Sequence, residues 1–384
     1  MQVKDMKLYE FEGIELFRRE GFPVLDYALA ASPEEAREKA QELGFPVVIK
    51  AQVLTGGRYL SGGVQTAQSP EQVEKSARRI LGLSIGGFPV KKVMVTRKVA
   101  TTREFYLAVT LDEYQGTSVV MLSSVGGVSI EGVARAHPEM VISRNVLPIK
   151  GLLPDAQQMA REAGLWGEEL VTVATVLRNL YGVFHKYDAL VTEINPLART
   201  VQGTYLVLDA KVEIDDSSLY RHPELKVDPA ERIVNTLESK GRKIGVTYVE
   251  LDGDIAVIAS GAGLGMASMD IISRRMRPAN FLETGGAITA DLLYKVMDLV
   301  LQKEGIRAVF INVYGGINPI HEGAKGVVRY MQEHNVTMPV VAKALGNHQE
   351  ETWKIFREHG VHVVDDVSTE KGIEQLARLL EGRA

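Results

Sequence analysis

From residue 255 onward, short and continuous apolar runs alternate with helical patterns. IAVIAS, ANFLET, AVFINVY, PVVAKAL and VHVVDD each lead into an amphipathic stretch. A strand with no polar face must be covered on both sides. Strands of this kind, alternating with helices, build a parallel sheet between two helical layers. The second half of the chain is therefore expected to be a doubly wound domain of about five strands.

The first half has another rhythm and is expected to be a mixed α+β unit. Residues 7–20 place Leu8, Phe11, Ile14 and Phe17 on one side of a helix. Ser32-Pro33-Glu34-Glu35 and Ser69-Pro70-Glu71-Gln72 carry the Ser cap, the first-turn Pro and the acid or amide three residues on that open helices. Between them PVVIKAQVLTGGRYLSGGVQTA reads as two strands around a Gly-rich turn. VMVTRKV, REFYLAVTLD and SVVMLSS are further strands, and a helical stretch runs from about Pro154 to Tyr181. ALVTEINPLA and YLVLDAKVEI form a strand pair that turns at Val201-Gln202-Gly203. Residues 215–243 are charged and rich in Asp, Lys, Arg and Pro, as a linker carrying some helix would be. This places one domain at residues 1–225, a linker at 226–250 and a second domain at 251–384.

Composition narrows the chemistry. The chain has no cysteine, which excludes disulfides, thiolate metal sites and a cysteine nucleophile. Its net charge is −5, with no basic patch interleaved with aromatics, so nucleic acid is not an expected partner. No apolar run is long enough to span a bilayer. The opening MQVKDMKLYEFEG lacks the apolar core of a signal peptide. The cytoplasm is the expected compartment.

Three constellations carry chemistry. Lys50 ends the strand VVIK, and Gly56, Gly57 and Arg58 follow, with Gly62 and Gly63 closing the turn. Glycines let backbone N–H groups approach a polyphosphate, and Lys and Arg supply compensating charge. No Walker P-loop is present. Glu193 and Asn195 end one strand and Asp209 ends the next, so all three are expected on one wall, where oxygen ligands suit Mg²⁺. In the second half, loops at Ser260–Gly265, Thr284–Ala287 and Gly315–Asn318 follow strand ends, where doubly wound sheets bind ligands. The dinucleotide fingerprint is absent, because GAGLGM puts its third glycine one residue early. Of the eight histidines none has a Gly-rich neighbourhood on both sides; His321, beside the Gly-Gly-Ile-Asn loop, is the one to follow.

VVIKAQVLTGGR, GGVSIEGVA, EINPL, LDAK, GAGLGMASMD, PANFLETGG and INVYGGI together closely resemble the beta subunit of ADP-forming succinate–CoA ligase, from the YEFEG opening nearly to the end of the chain. The resemblance implies an N-terminal ATP-grasp domain and a C-terminal flavodoxin-like domain. It implies a reaction in which Mg-ATP phosphorylates a histidine of a separate alpha subunit, which also carries the CoA site, and the acid is then activated for capture by CoA. Carried over by motif, Lys50, Gly57, Arg58 and Glu104 match nucleotide-binding positions. Asn195 and Asp209 match the magnesium ligands, and Glu193 matches the carboxylate beside the phosphohistidine. Ser260, Gly316, Ile317 and Asn318 fall at the acid-side positions. The chain departs from the family where it has Tyr59 and Leu60 for Gly and Lys, Thr96 for a Glu facing the base, and Ser260 for Asn. It departs again at Glu283 for Asp, Ala287 for Gly and Asn318 for Val. The acid pocket is thus expected to differ, with a hydroxylated or larger dicarboxylate such as malate as the alternative to succinate. A citrate-type ligase subunit and a non-catalytic nucleotide-binding subunit are the further alternatives.

Overall fold

The computed structural model describes residues 6–147 and 155–382, and the chain divides into two compact units at Val227/Asp228. The first unit has two main sheets. In one, the strands Tyr27–Ala30, Val93–Arg97, Val47–Ala51 and Val64–Ala67 lie side by side, all antiparallel. The helices Pro33–Leu43 and Pro70–Leu81 begin as expected, Ser32 Oγ accepting from Glu35 N–H and Ser69 Oγ from Gln72 N–H. Their alanines and Val73 and Ile80 pack with Val47, Ile49, Val93 and Val95 of this sheet.

The second sheet has seven strands. Its main path runs Met6–Lys7, Ala210–Ile214, Ala189–Thr200, Thr101–Asp112, Thr117–Ser123, Val141–Val146, with Tyr205–Val207 also paired to Ala189–Thr200. The helix Gly167–Lys186 lies in the core of this sheet with Glu10–Arg19. The helical stretch expected from about Pro154 to Tyr181 consists of two helices, Ala156–Glu162 and Gly167–Lys186. Gly164 and Gly167 take positive φ between them, 77° and 59°, a turn that glycine makes without steric cost; Pro154 itself lies outside the described residues. The first helix is rotated from its expected face. Ile14 and Phe17 are buried, but Glu10 and Gly13 share their side rather than Phe11, which is half-buried and stacks on Tyr9.

The second unit contains a six-stranded sheet in the order Thr247–Glu250, Asn280–Glu283, Ile255–Ala259, Ala308–Gly315, Val340–Gly346, His362–Val363. The last five are parallel and follow the flavodoxin order 2-1-3-4-5. Two buried clusters cover its faces, one under the helices Ala290–Leu301, Ile320–Glu333 and Gln349–Glu358, the other under Ala262–Ile272 and Thr369–Glu381. The stretch expected as a linker, 226–250, is part of this unit from Asp228 on: it carries the helix Thr236–Lys243 and the edge strand Thr247–Glu250, antiparallel to Asn280–Glu283. Its charges sit on a short helix whose Leu237 and Ile244 pack on the core.

A buried asparagine completes the parallel ladder. Ile255–Ala259 pairs with Asn280–Glu283 in backbone register only at Ala259 and Glu283. Lower down, the Asn280 side chain takes the place of a strand, accepting from Val257 N–H at 3.1 Å and donating to Val257 O at 2.8 Å. Replacing it strands two buried backbone groups. Asn280→Ala is expected to cost roughly 2–4 kcal/mol, measured as a fall in denaturant midpoint of the transition that unfolds this unit.

Candidate nucleotide and acid sites

Lys50 sits near the end of Val47–Ala51, opposite Val64 across the Gly-rich turn. Its Nζ donates to Glu10 Oε1 at 2.7 Å and to the Leu208 carbonyl at 2.7 Å. Arg58, in the turn, also binds Glu10 and grips Asp209 with one nitrogen at 2.9 and 2.7 Å from the two carboxylate oxygens. Gly57 precedes it at φ 74°, a left-handed conformation that a side chain would disfavour. The Glu10 side chain is 1% exposed, and Gln52 Nε2 reaches it at 3.3 Å. Burial opposes ionisation of Glu10, but Arg58 and Lys50 outweigh it and hold the carboxyl down at about 2. Burial also works against the charge on Arg58; Asp209 and Glu10 more than compensate, so its pKa is raised. The Asp209 carboxyl is pushed up by burial and by Glu10, against the pull of Arg58.

The second wall comes from Ala189–Thr200. Its register against Thr101–Asp112 slips between Ile194 and Leu197, around Asn195-Pro196, where the peptide is cis. Asn195 N–H meets the Asp209 carbonyl at 3.4 Å, so the two expected magnesium ligands are side by side. Asn195 Oδ1 accepts from Gly127 N–H at 2.8 Å and its Nδ2 donates to the Val128 carbonyl at 3.1 Å. Gly126 N–H in turn bonds the Glu104 carbonyl at 2.9 Å. The Gly126-Gly127 turn is thereby laid over Glu104, and a Cβ on Gly127 would stand 2.1 Å from Glu104 Oε2. Glu104 also accepts from Thr101 Oγ1 at 3.0 Å. Glu193 lies one side-chain alternation back from Asn195 and takes the Tyr106 hydroxyl at 3.3 Å. Burial raises its pKa, Asp209 adds to the rise, and Lys211 opposes it.

So the structure brings Lys50, Arg58 and Asp209 into one network and sets Asn195 beside Asp209. Glu104 and Asn195 share the Gly126-Gly127 turn. Tyr59 and Leu60 stand out from the Gly-rich turn, 78% and 91% exposed. Thr96 is buried, its hydroxyl donating to the Asp26 carbonyl at 3.0 Å. Glu10, Gln52 and Tyr106 are additions to the expected set. The signal for Glu10 was a carboxylate one turn before Ile14 and two before Phe17, in phase with an apolar face.

In the second unit Ser260, Gly316, Ile317 and Asn318 stand at the carboxyl edge of the sheet, at the switch point between Ile255–Ala259 and Ala308–Gly315. The Ser260 hydroxyl accepts from Tyr314 N–H at 2.9 Å and faces the Tyr314 carbonyl at 3.3 Å, clamping the two strand ends. Asn318 Nδ2 donates to the Gly286 carbonyl. An open cleft of about 500 Å³ is lined by Gly286, Ala287, Ile288, Thr289, Asn318 and Glu322 among others. Ile317 is 91% exposed beside it.

Glu10 neutralises two buried cations, so Glu10→Gln leaves Lys50 and Arg58 short of a charge. At neutral pH the change is expected to lower stability by about 3 kcal/mol. A carboxyl whose folded pKa lies below its ordinary value of 4.5 stabilises the fold above that value and loses the contribution as pH falls toward about 2. Denaturant midpoints of wild type and variant should therefore converge between pH 5 and pH 2.5.

Residues 7–199 match the family model described as ATP-grasp domain, and residues 258–376 the one described as CoA-ligase. The chain is 38% identical to the succinate–CoA ligase [ADP-forming] subunit beta of Rubrobacter xylanophilus over 97% of both chains. It is 41% identical to the succinate–CoA ligase [GDP-forming] subunit beta of Thermus thermophilus, over 93% of this chain and 95% of that one. The ADP-forming subunit beta of Desulfurococcus amylolyticus is 38% identical over 98% of this chain and all of its own. Among solved structures, an ATP citrate lyase from Methanothrix soehngenii, in complex with citrate and coenzyme A, superposes with a TM-score of 0.76 at 18% identity, covering 98% of this chain and 100% of that one, a likeness of fold. With both domains matched and relatives this similar along nearly the whole length, the chain belongs to the succinate–CoA ligase beta-subunit family.

Proposed function

We propose that the chain is the nucleotide-binding subunit of an acid–CoA ligase that converts an acid, CoA and ATP to acyl-CoA, ADP and phosphate, with succinate as the acid. The observation that carries the reading is the network in which Lys50, Arg58 and Asp209 meet beside Asn195. Asp209 and Asn195 offer the hard oxygen donors that Mg²⁺ takes, and they would hold such an ion. Bound there, the ion would offset negative charge on the phosphates during transfer. Asp209 is at present engaged by Arg58. On nucleotide binding the guanidinium turns from this carboxylate to the phosphate oxygens, which accept its planar fork equally well. Lys50, fixed by Glu10, adds a second positive charge to the same phosphates, and the Gly56-Gly57 turn offers them backbone N–H groups. Glu104, under the Gly126-Gly127 turn, faces the nucleotide. Glu193, whose proton affinity is raised by burial, is suited to receive the N–H of a partner histidine as it accepts the phosphoryl group.

The partner follows from what the chain's histidines lack. None of the eight has a Gly-rich neighbourhood on both sides. An alpha-type subunit is therefore expected to supply the phosphohistidine and the CoA site. No described helix is long and apolar enough to cross a membrane, and the cytoplasm is the proposed compartment. At the acid end, Ser260 and Asn318 replace larger and apolar family residues. One N–H of the Asn318 amide is tied to the Gly286 carbonyl; succinate is proposed as the acid because the relatives at 38% and 41% identity are succinate–CoA ligase subunits.

The test is ADP formation that depends on CoA and acid, measured on the chain copurified with an alpha-type subunit. The isolated chain should form no acyl-CoA. In the complex, Asp209→Ala should lower kcat by about a thousandfold or more while the variant still assembles and keeps the circular dichroism of the folded chain. Near-normal turnover in that variant would remove Asp209 from the metal. Succinate should exceed malate in kcat/KM, and Asn318→Val should leave that ratio within about threefold; a preference for malate that Asn318→Val reverses would establish the other acid.

A further inference from the structure

Outside these sites, one group of side chains has the composition of a metal centre. The strands Ala308–Gly315 and Val340–Gly346 are parallel neighbours, with Gly315 opposite Gly346. Their C-terminal loops are joined by backbone. Asn347 N–H donates to the Gly315 carbonyl at 2.7 Å, Ile320 N–H to the Asn347 carbonyl at 3.2 Å, and Asn347 Nδ2 to the Ile317 carbonyl at 2.9 Å. These bonds set the first turn of Ile320–Glu333, with His321, against the start of Gln349–Glu358, with His348 before it and Glu351 in its first turn.

One donor atom from each of His321, His348 and Glu351 lies within 4.8 Å of the other two, and no other group of three His, Cys, Asp or Glu among the described residues gathers so closely. His348 Nδ1 is 3.2 Å from Glu351 Oε2, and His321 Nε2 is 3.9 Å from Glu351 Oε1. Donors about 2.0–2.2 Å from a tetrahedral Zn²⁺ stand roughly 3.3 Å apart, so one pair is already in place and the other needs a small rotation. The two imidazoles pack with centroids 4.5 Å apart. Glu322 adds a second carboxylate 3.1 Å from His321 Nε2. Nδ1 of His321 is buried with no hydrogen-bond partner among the described residues, so the polar work of this ring falls on Nε2, which faces the two carboxylates. His348 is held at φ 61°, a left-handed conformation that costs a non-glycine residue on the order of 1 kcal/mol. The loop accepts that cost in a geometry that sets the ring beside His321.

We propose that His321, His348 and Glu351 bind a first-row divalent cation of the Zn²⁺ type. Imidazole with one carboxylate is a donor set for Zn²⁺ and its neighbours and not for Mg²⁺, which prefers oxygen throughout. His321 forms the inner wall, 13% exposed, while His348 and Glu351 are each 50% exposed. The fourth position therefore opens to solvent and takes a water or a carboxylate oxygen. A cation here joins the two strand-end loops that border Gly315–Asn318, a role distinct from phosphoryl transfer.

The experiment is a calorimetric titration of the full chain, freed of metal by a chelator and then of the chelator, with ZnCl₂ in excess Mg²⁺. Wild type and Asp209→Asn should each bind one Zn²⁺ per chain at this site. Glu351→Gln and His348→Asn should weaken binding by about tenfold or more, with unchanged circular dichroism; asparagine tolerates the left-handed backbone at position 348. Co²⁺ in place of Zn²⁺ should give the visible bands of a tetrahedral site in wild type and lose them in His348→Asn. The proposal is overturned by the absence of saturable Zn²⁺ binding, by binding that both substitutions leave intact, or by binding lost in Asp209→Asn and retained in the other two.

Discussion

A single buried carboxylate organises the candidate nucleotide site. Glu10 leaves the first helix on its apolar face and meets Lys50 from one sheet and Arg58 from the loop beyond it. Asp209, from the other sheet, takes the far side of Arg58. Two anions and two cations thus alternate across the ends of two sheets. Each charge would be costly if removed from water by itself, and none is alone. The arrangement holds long, flexible side chains beside the Gly-rich turn in the absence of a ligand.

The parts of the fold that were legible in the sequence are those decided locally. Ser32 and Ser69 cap the helices they announce because a cap depends on four consecutive residues. The five parallel strands were legible because a strand covered on both faces must be apolar at every position. The edge strand Thr247–Glu250 was not, since TYVE alternates weakly and becomes a strand through its pairing with Asn280–Glu283. The same holds for Asn280, which reads as a polar residue at a strand start and acts as part of the ladder.

The candidate site divides along the same line. Glycines, Lys50, Arg58, Asn195 and Asp209 stand in short motifs, so their chemistry could be named from residue type and spacing. Their mutual placement depends on contacts between residues far apart in the chain: Glu10 to Lys50, Arg58 to Asp209, Gly127 to Asn195. Glu10 was hidden because a glutamate on a helix is ordinarily solvated, and only the phase of its neighbours marks it as buried. The commitments of Ser260 to Tyr314 and of Asn318 to Gly286 are likewise invisible until the strand ends are side by side.

The grip of Arg58 on Asp209 has a thermodynamic consequence for the proposed site. A cation arriving alone must break that ion pair and leave the guanidinium with Glu10 as its one carboxylate partner. A nucleotide arriving alone must draw Arg58 away and leave the carboxylate uncovered. Arriving together, each ligand receives the group that the other sets free. At the proposed site the two would therefore bind with positive coupling, and by linkage each would tighten the other's affinity by the same factor. The chain would take the metal–nucleotide complex as one substrate and discriminate against either component alone, through an ion pair that exchanges partners rather than through a pocket that measures size.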